Sequence, residues 1–116
     1  MIDNDKIASF FQTFCTERDW DQFHTPKNLA TSITIEAAEL LELFQWSRGE
    51  NGWQDLGDPR VRARTEEELA DILLYLIRFS ALAGINLQRA AEAKMEQNAR
   101  KYPVEQFKGS DRKYNE

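Results

Sequence analysis

Carboxylates at three-residue spacing occur twice where a helix should present an apolar stripe. Residues 33–42 read ITIEAAELLE, so Glu36 and Glu39 project from one helical face, about 4.5 Å apart along the axis. Glu36 sits between Ile33 and Leu40, inside the stripe itself. Residues 68–71 read ELAD and repeat the arrangement, with Glu68 one turn before Ile72 and Asp71 one turn before Tyr75. Two antiparallel helices can aim these pairs at each other across a groove. Four carboxylates gathered there repel, and a cation must offset them. No Lys or Arg shares these faces between the acidic positions. A divalent metal answers the need, and an oxygen-only ligand set favours Mg²⁺ or Mn²⁺ over zinc. Solvated helix faces are the competing reading: the chain holds 20 acidic residues, and Glu39/Glu42 and Asp55/Asp58 share the same spacing. The pattern alone leaves both readings open.

Aromatic residues gather near these acids. Trp20, Phe23, Trp46, Trp53 and Tyr75 fall at helix ends, in connections or beside the pairs. Each can serve as a core cap. Trp46, seven residues after Glu39, and Tyr75, four after Asp71, share the acidic faces, where a flat ring could stack on a nucleobase. His24, the only histidine, lies beside Phe23 and close to Trp20; a structural role and a ligand contact are both open to it. Lys94, Asn98 and Lys101 form a stripe that suits either a solvated surface or a phosphate clamp. Cys15 follows Phe14 with no His nearby, which makes it a packing residue rather than a nucleophile. No Gly-rich phosphate loop, HExxH or CxxC motif occurs.

The elements that must hold these residues are helical nearly throughout. Ile7, Phe10, Phe11 and Phe14 mark a helix over about Asp3–Arg18. Thr25-Pro26 is a cap followed by a first-turn proline, opening a helix that runs to about Trp46. Ser47–Gly57 has three glycines and no period, as expected of a loop. Asp58-Pro59 repeats the cap signal, and Leu69, Ile72, Leu73, Leu76 and Ile77 carry a third helix to Gly84. Asn86 caps a fourth, which ends near Lys101 before Pro103. No segment alternates with period two, so the fold expected is an all-α antiparallel helical bundle. Residues 1–103 form its single domain, and 104–116 are a polar tail expected to be extended or loosely packed. The third helix is apolar on more than one face, which points to assembly as a homo-oligomer.

Composition narrows the function. At 116 residues, the chain carries 15 basic and 20 acidic side chains, a net charge of −5. That balance argues against a nucleic-acid polymer or a membrane surface as partner, because both are anionic. A single cysteine, no basic region followed by an apolar run over residues 1–20, and no long apolar stretch make a cytoplasmic protein the expectation.

These residues resemble the all-α NTP pyrophosphohydrolase (MazG-like) superfamily, most closely its dCTP pyrophosphatase branch. The family signature is an ExxE pair on one helix and ExxD on the next, here Glu36/Glu39 and Glu68/Asp71. The surrounding runs ERDWDQFHTPKNL (17–29), ELLELFQW (39–46), EELADILLYL (67–76) and KMEQN (94–98) are similar as well, as are Tyr102-Pro103 and Lys113-Tyr114. The likeness extends from about Phe10 to the C-terminus. It implies metal ligation by Glu36, Glu39, Glu68 and Asp71, with Mg²⁺ as cofactor and Mn²⁺ as an alternative. It assigns Trp20, His24, Trp46 and Tyr75 to a nucleotide pocket, and Lys94 and Asn98 to the phosphates. It further implies a tetramer, a dimer of dimers, whose neighbouring subunits help build each pocket. Phe11 departs from the pocket histidine of vertebrate members, Ile35 and Ala38 replace common glycines, and the Ser47–Gly57 loop differs.

The activity so implied is Mg²⁺-dependent hydrolysis of dCTP to dCMP and diphosphate, which would clean the nucleotide pool. One carboxylate of Glu36 or Glu39 would act as the catalytic group that activates water. Another or a modified dNTP is the alternative substrate. A non-catalytic helical interaction module is the alternative class. A di-iron bundle would require ExxH pairs that the chain lacks.

Overall fold

The computed structural model describes residues 1–50 and 52–116. Helices account for its regular structure, and no strand occurs among the described residues. Contacts divide the chain into two compact units, Met1–Ala83 and Gly84–Glu116.

In the first unit, α1 (Asn4–Glu17) starts where the Asp3 side chain accepts the Lys6 amide at 3.0 Å. It ends in paired backbone bonds, from Trp20 N–H to the Cys15 carbonyl at 2.9 Å and from Asp19 N–H to Thr16 at 3.1 Å. This closure needs a left-handed residue, and Asp19 supplies it with φ 55°. The chain thereby turns back into a 3₁₀ turn, Asp21–Phe23, that leads to α2.

Helix α2 (Pro26–Glu42) opens on the Thr25 cap, whose hydroxyl accepts the Asn28 amide at 3.2 Å. It stops four residues short of the expected Trp46. After Glu42 the backbone tightens into three-residue turns, including Phe44 N–H to the Leu41 carbonyl at 3.0 Å. Ser47 then donates to the Asp55 carboxylate at 2.6 Å and draws the connection closed. The stretch expected as loop contains a 3₁₀ helix over Gly52–Gly57 that packs on the next helix. Asn51, part of that expected loop, lies outside the described residues.

Helix α3 (Pro59–Ala83) begins at Asp58, which accepts the Arg60 amide at 2.9 Å, and ends before Gly84 at φ +70°. It packs against both α1 and α2. Pairings along α2 and α3 run in opposite senses: Leu43 shares a cleft with Val61, Glu36 meets Glu68, and Leu29 shares a cavity with Phe79. The two helices are therefore antiparallel, which lets the acidic pairs face each other. Cys15, Leu29 and Ile77 form the buried apolar centre of this unit. Many large apolar residues stay outside it, among them Phe10 at 68% and Leu41 at 70% exposure.

The second unit holds α4 (Leu87–Lys101), capped by Asn86 through the Arg89 amide at 3.0 Å, and the short α5 (Val104–Phe107). The tail expected to be extended is folded in part. Tyr102 meets the Phe107 ring edge-on at 4.8 Å and Tyr114 at 6.1 Å, while the Arg112 guanidinium lies 4.6 Å over Phe107. Aromatic contact holds a segment that its charge content alone describes as solvated.

Candidate active site

Antiparallel packing of α2 on α3 brings one carboxylate oxygen from each of Glu36, Glu39 and Glu68 within 4.8 Å of one another. Glu68 is buried, and Glu36 and Glu39 are half-buried. The Oε2 atoms of Glu36 and Glu68 are both shut away from solvent with no hydrogen-bond partner. Two ionised carboxylates cannot donate to each other, so without a cation the relief open to the cluster is for one of them to keep a proton. Glu36 is the group so biased: burial, the neighbouring Glu68 carboxyl and the charge of Glu39 push it up to about 7.

The orphaned oxygens fit a cation. Hydrogen-bond donors are missing where the ligand set is entirely carboxylate, a combination that hard divalent ions satisfy. Asp71, the fourth acid expected in the set, stands one turn along α3 from Glu68. Its charge still raises Glu36, but it lines a neighbouring aromatic cleft instead of joining the three-residue cluster.

That cleft, about 440 Å³, is walled by Ile7, Phe10, Phe11, Phe14, Trp20, Leu74 and Tyr75, with Asp71 at its acidic margin. Phe14 meets Trp20 edge-on at 5.4 Å, and Phe11 tilts against Tyr75 at 5.9 Å. Burial first, and then the charges of Glu36 and Asp71, push the hydroxyl of the cleft residue Tyr75 up. The structure thus brings Trp20, Asp71 and Tyr75 together in one cleft, with Asp71 and Tyr75 within electrostatic reach of Glu36. Phe10 and Phe14 are legible in the sequence only as part of a helical stripe, since nothing in their spacing separates a cleft wall from a packed face, whereas the family resemblance already puts Phe11 at a pocket position.

The remaining residues singled out in the sequence belong to other parts of the two units. Trp46 is 89% exposed and borders a different cleft with Leu43, Arg48 and Asp58. Lys94 and Asn98 lie on α4 in the second unit, where Lys94 donates to Gln97 at 3.2 Å. His24 accepts at Nδ1 from the Arg78 Nε–H at 3.0 Å, and its ring meets Phe11 edge-on at 6.2 Å. Burial, followed by the Arg78 charge, lowers the His24 pKa.

Arg78 escaped the sequence reading. Only 2% exposed, it donates to His24, to the Gln12 side-chain carbonyl and to the Asp21 carboxylate. Thr16 and Gln12 complete the coordination of Asp21. The available signal was a lone cation between Ile77 and Phe79 in an apolar run, a position that demands buried acceptors. Arg78, Gln12, Asp21 and His24 line a second cavity of about 450 Å³ with Pro26, Leu29 and Leu82.

Known proteins share this architecture and sequence. A profile of the MazG-like family matches residues 31–116. dCTP pyrophosphatase 1 of Bos taurus is 45% identical over 108 residues, covering 93% of this chain and 64% of the relative. The Homo sapiens protein of the same name is 44% identical over 114 residues, covering 95% and 65%. The chain therefore spans a little under two thirds of the curated relatives it matches. A crystal structure of a pyrophosphatase from Archaeoglobus fulgidus superposes with a TM-score of 0.79 at 45% identity, covering 85% of this chain and 91% of that one.

Proposed function

The chain belongs to the MazG-like family, and from that premise we propose that it is a nucleoside triphosphate pyrophosphohydrolase that converts dCTP and water to dCMP and diphosphate. One observation carries the reading: a cluster of carboxylates with orphaned buried oxygens adjoins an aromatic cleft, and Asp71 and Tyr75 stand at their junction. A triphosphate attached to a flat base needs these two environments side by side. The names of the curated relatives, dCTP pyrophosphatase 1, supply the choice of substrate.

Glu36, Glu39 and Glu68 would hold a divalent ion, Mg²⁺ by preference and Mn²⁺ as a substitute, with Asp71 completing the set from the cleft side. When bound, the ion supplies charge neutralisation for the triphosphate and the departing diphosphate. Glu36 or Glu39 orients the attacking water and takes its proton as oxygen adds to the α-phosphorus. The bond from the α-phosphorus to the bridging oxygen breaks, and diphosphate leaves. Trp20, Phe11 and Tyr75 hold the base, and the cleft walls exclude water from it. Lys94 and Asn98 are the phosphate contacts that the family resemblance assigns.

The fully exposed Trp46 and the uncovered Phe10, Leu41 and Leu69 support assembly into a homo-oligomer, a tetramer in this reading. Trp46 is then a residue that one copy lends to the pocket of another. No helix among the described residues is long and apolar enough to cross a membrane.

Release of diphosphate from a panel of dNTPs and NTPs, with Mg²⁺ and with EDTA, tests the proposal. The expected result is Mg²⁺-dependent release strongest with dCTP and absent in EDTA. Silence across the panel from a folded protein would overturn it in favour of a modified nucleotide as substrate or of the interaction module.

A further inference from the structure

Arg78 lies outside both the carboxylate cluster and the aromatic cleft, yet its guanidinium reaches three residues on two pieces of chain, α1 and the 3₁₀ turn, whose neighbours Phe11 and Trp20 wall the cleft. From α3 it bonds Gln12 on α1, Asp21 at the start of the 3₁₀ turn, and His24 at its end. The turn is thus gripped at both ends. Trp20, which forms part of the cleft wall, is joined directly to the gripped segment, its carbonyl accepting the Phe23 amide at 2.9 Å. From His24 the contact continues through the Phe11 ring to Tyr75.

We propose that Arg78 is a positioning residue for the nucleotide cleft: its three-pronged grip on Gln12, Asp21 and His24 sets the placement of Trp20 and Phe11 and fixes the His24 tautomer. A guanidinium can only donate, so His24 Nδ1 must be a bare acceptor and the ring proton must sit on Nε2. A lysine cannot reproduce the grip, because a single ammonium replaces a planar fork whose donors diverge in fixed directions. This inference rests on the nucleotide reading of the cleft.

Because His24 is the only histidine, ¹⁵N NMR reports on it without ambiguity. In the native protein a single Nε2–H tautomer with an acceptor-type Nδ1 is expected. A tautomer mixture, or a protonated Nδ1, would overturn the proposal with no need for a variant. In Arg78→Lys, the Nδ1 signal is expected to lose its acceptor character. KM for dCTP should rise about tenfold while kcat stays within about twofold, as for a lost charge-assisted hydrogen bond that serves binding alone. A merely structural role would lower the melting temperature and the active fraction and leave KM unchanged. A folded Arg78→Lys protein with native KM and native His24 signals therefore contradicts the proposal. If the native enzyme hydrolyses dCTP and only this variant is indifferent, the positioning claim alone falls. If the native enzyme hydrolyses no nucleotide, the functional reading falls and takes this claim with it, while the NMR result still stands on the tautomer.

Discussion

Two buried charges on α3, Glu68 and Arg78, stand ten residues apart and are treated in opposite ways. Arg78 is closed: three acceptors surround it, one of them an opposite charge, and the network ties α1 and the 3₁₀ turn to α3. Glu68 is open: two more acids stand within 4.8 Å of it, and its Oε2 has no hydrogen-bond partner. A closed charge works as structure, because its partners are already in the chain. An open one costs stability in the free protein, and the fold keeps it only if something from outside completes it. One helix therefore shows the contrast between a cross-link and a ligand site.

Substitutions should separate the two. Glu68→Gln is expected to lower dCTP hydrolysis at least about 10³-fold, the scale of losing a group that organises charge in the transition state. The same change should raise the melting temperature in EDTA, since it removes like-charge repulsion from the open cluster. A fall in the EDTA melting temperature would mean that Glu68 is as closed as Arg78.

Arg78→Met should act the other way, lowering stability by about 2–3 kcal/mol by leaving Asp21 and two further polar groups without their donor. The value lies below that of a fully buried pair because the Asp21 side chain is 44% exposed. Urea unfolding checks it, and a neutral result would dissolve the contrast.

The third expectation follows from the shift at Glu36. Its folded value of about 7 lies above the ordinary 4.5, so its contribution to metal-free stability is full below the lower value. That contribution is lost as pH rises through the upper one. The metal-free protein should thus weaken between these two values, and Glu36→Gln should flatten the trend. Mg²⁺ must displace the same proton, so its affinity should fall about tenfold per pH unit below the folded value. Melting curves with and without Mg²⁺ measure both.

Asp19→Gly touches neither charge. It relieves the left-handed residue that closes α1 and should change stability by no more than about 1 kcal/mol. A larger change would mean that the turn, and not Arg78, governs that region.

What the sequence disclosed follows the range of the interactions. Helix starts at Asp3, Thr25, Asp58 and Asn86 were legible because a cap and its amide lie within three residues. The acidic pairs were legible because polar residues inside an apolar stripe break a local pattern. Arg78 was missed because its partners are 54 to 66 residues away in the chain, and only tertiary packing names them. Trp46 was aligned with Glu39 by carrying one helical period too far; α2 tightens after Glu42, and the phase is lost. Asp71 shows the limit of spacing arguments, since a residue one turn from Glu68 lines the cleft while its charge still reaches Glu36.

Calorimetric titration of Mg²⁺ into the metal-free protein and into Glu68→Gln, at about pH 8 where Glu36 is ionised, tests the open cluster most directly. Saturable binding by the native protein, abolished in the variant while its helical content is unchanged, is the predicted result. Equal binding by the two proteins, or none by either, would contradict the assignment of these carboxylates as the metal site.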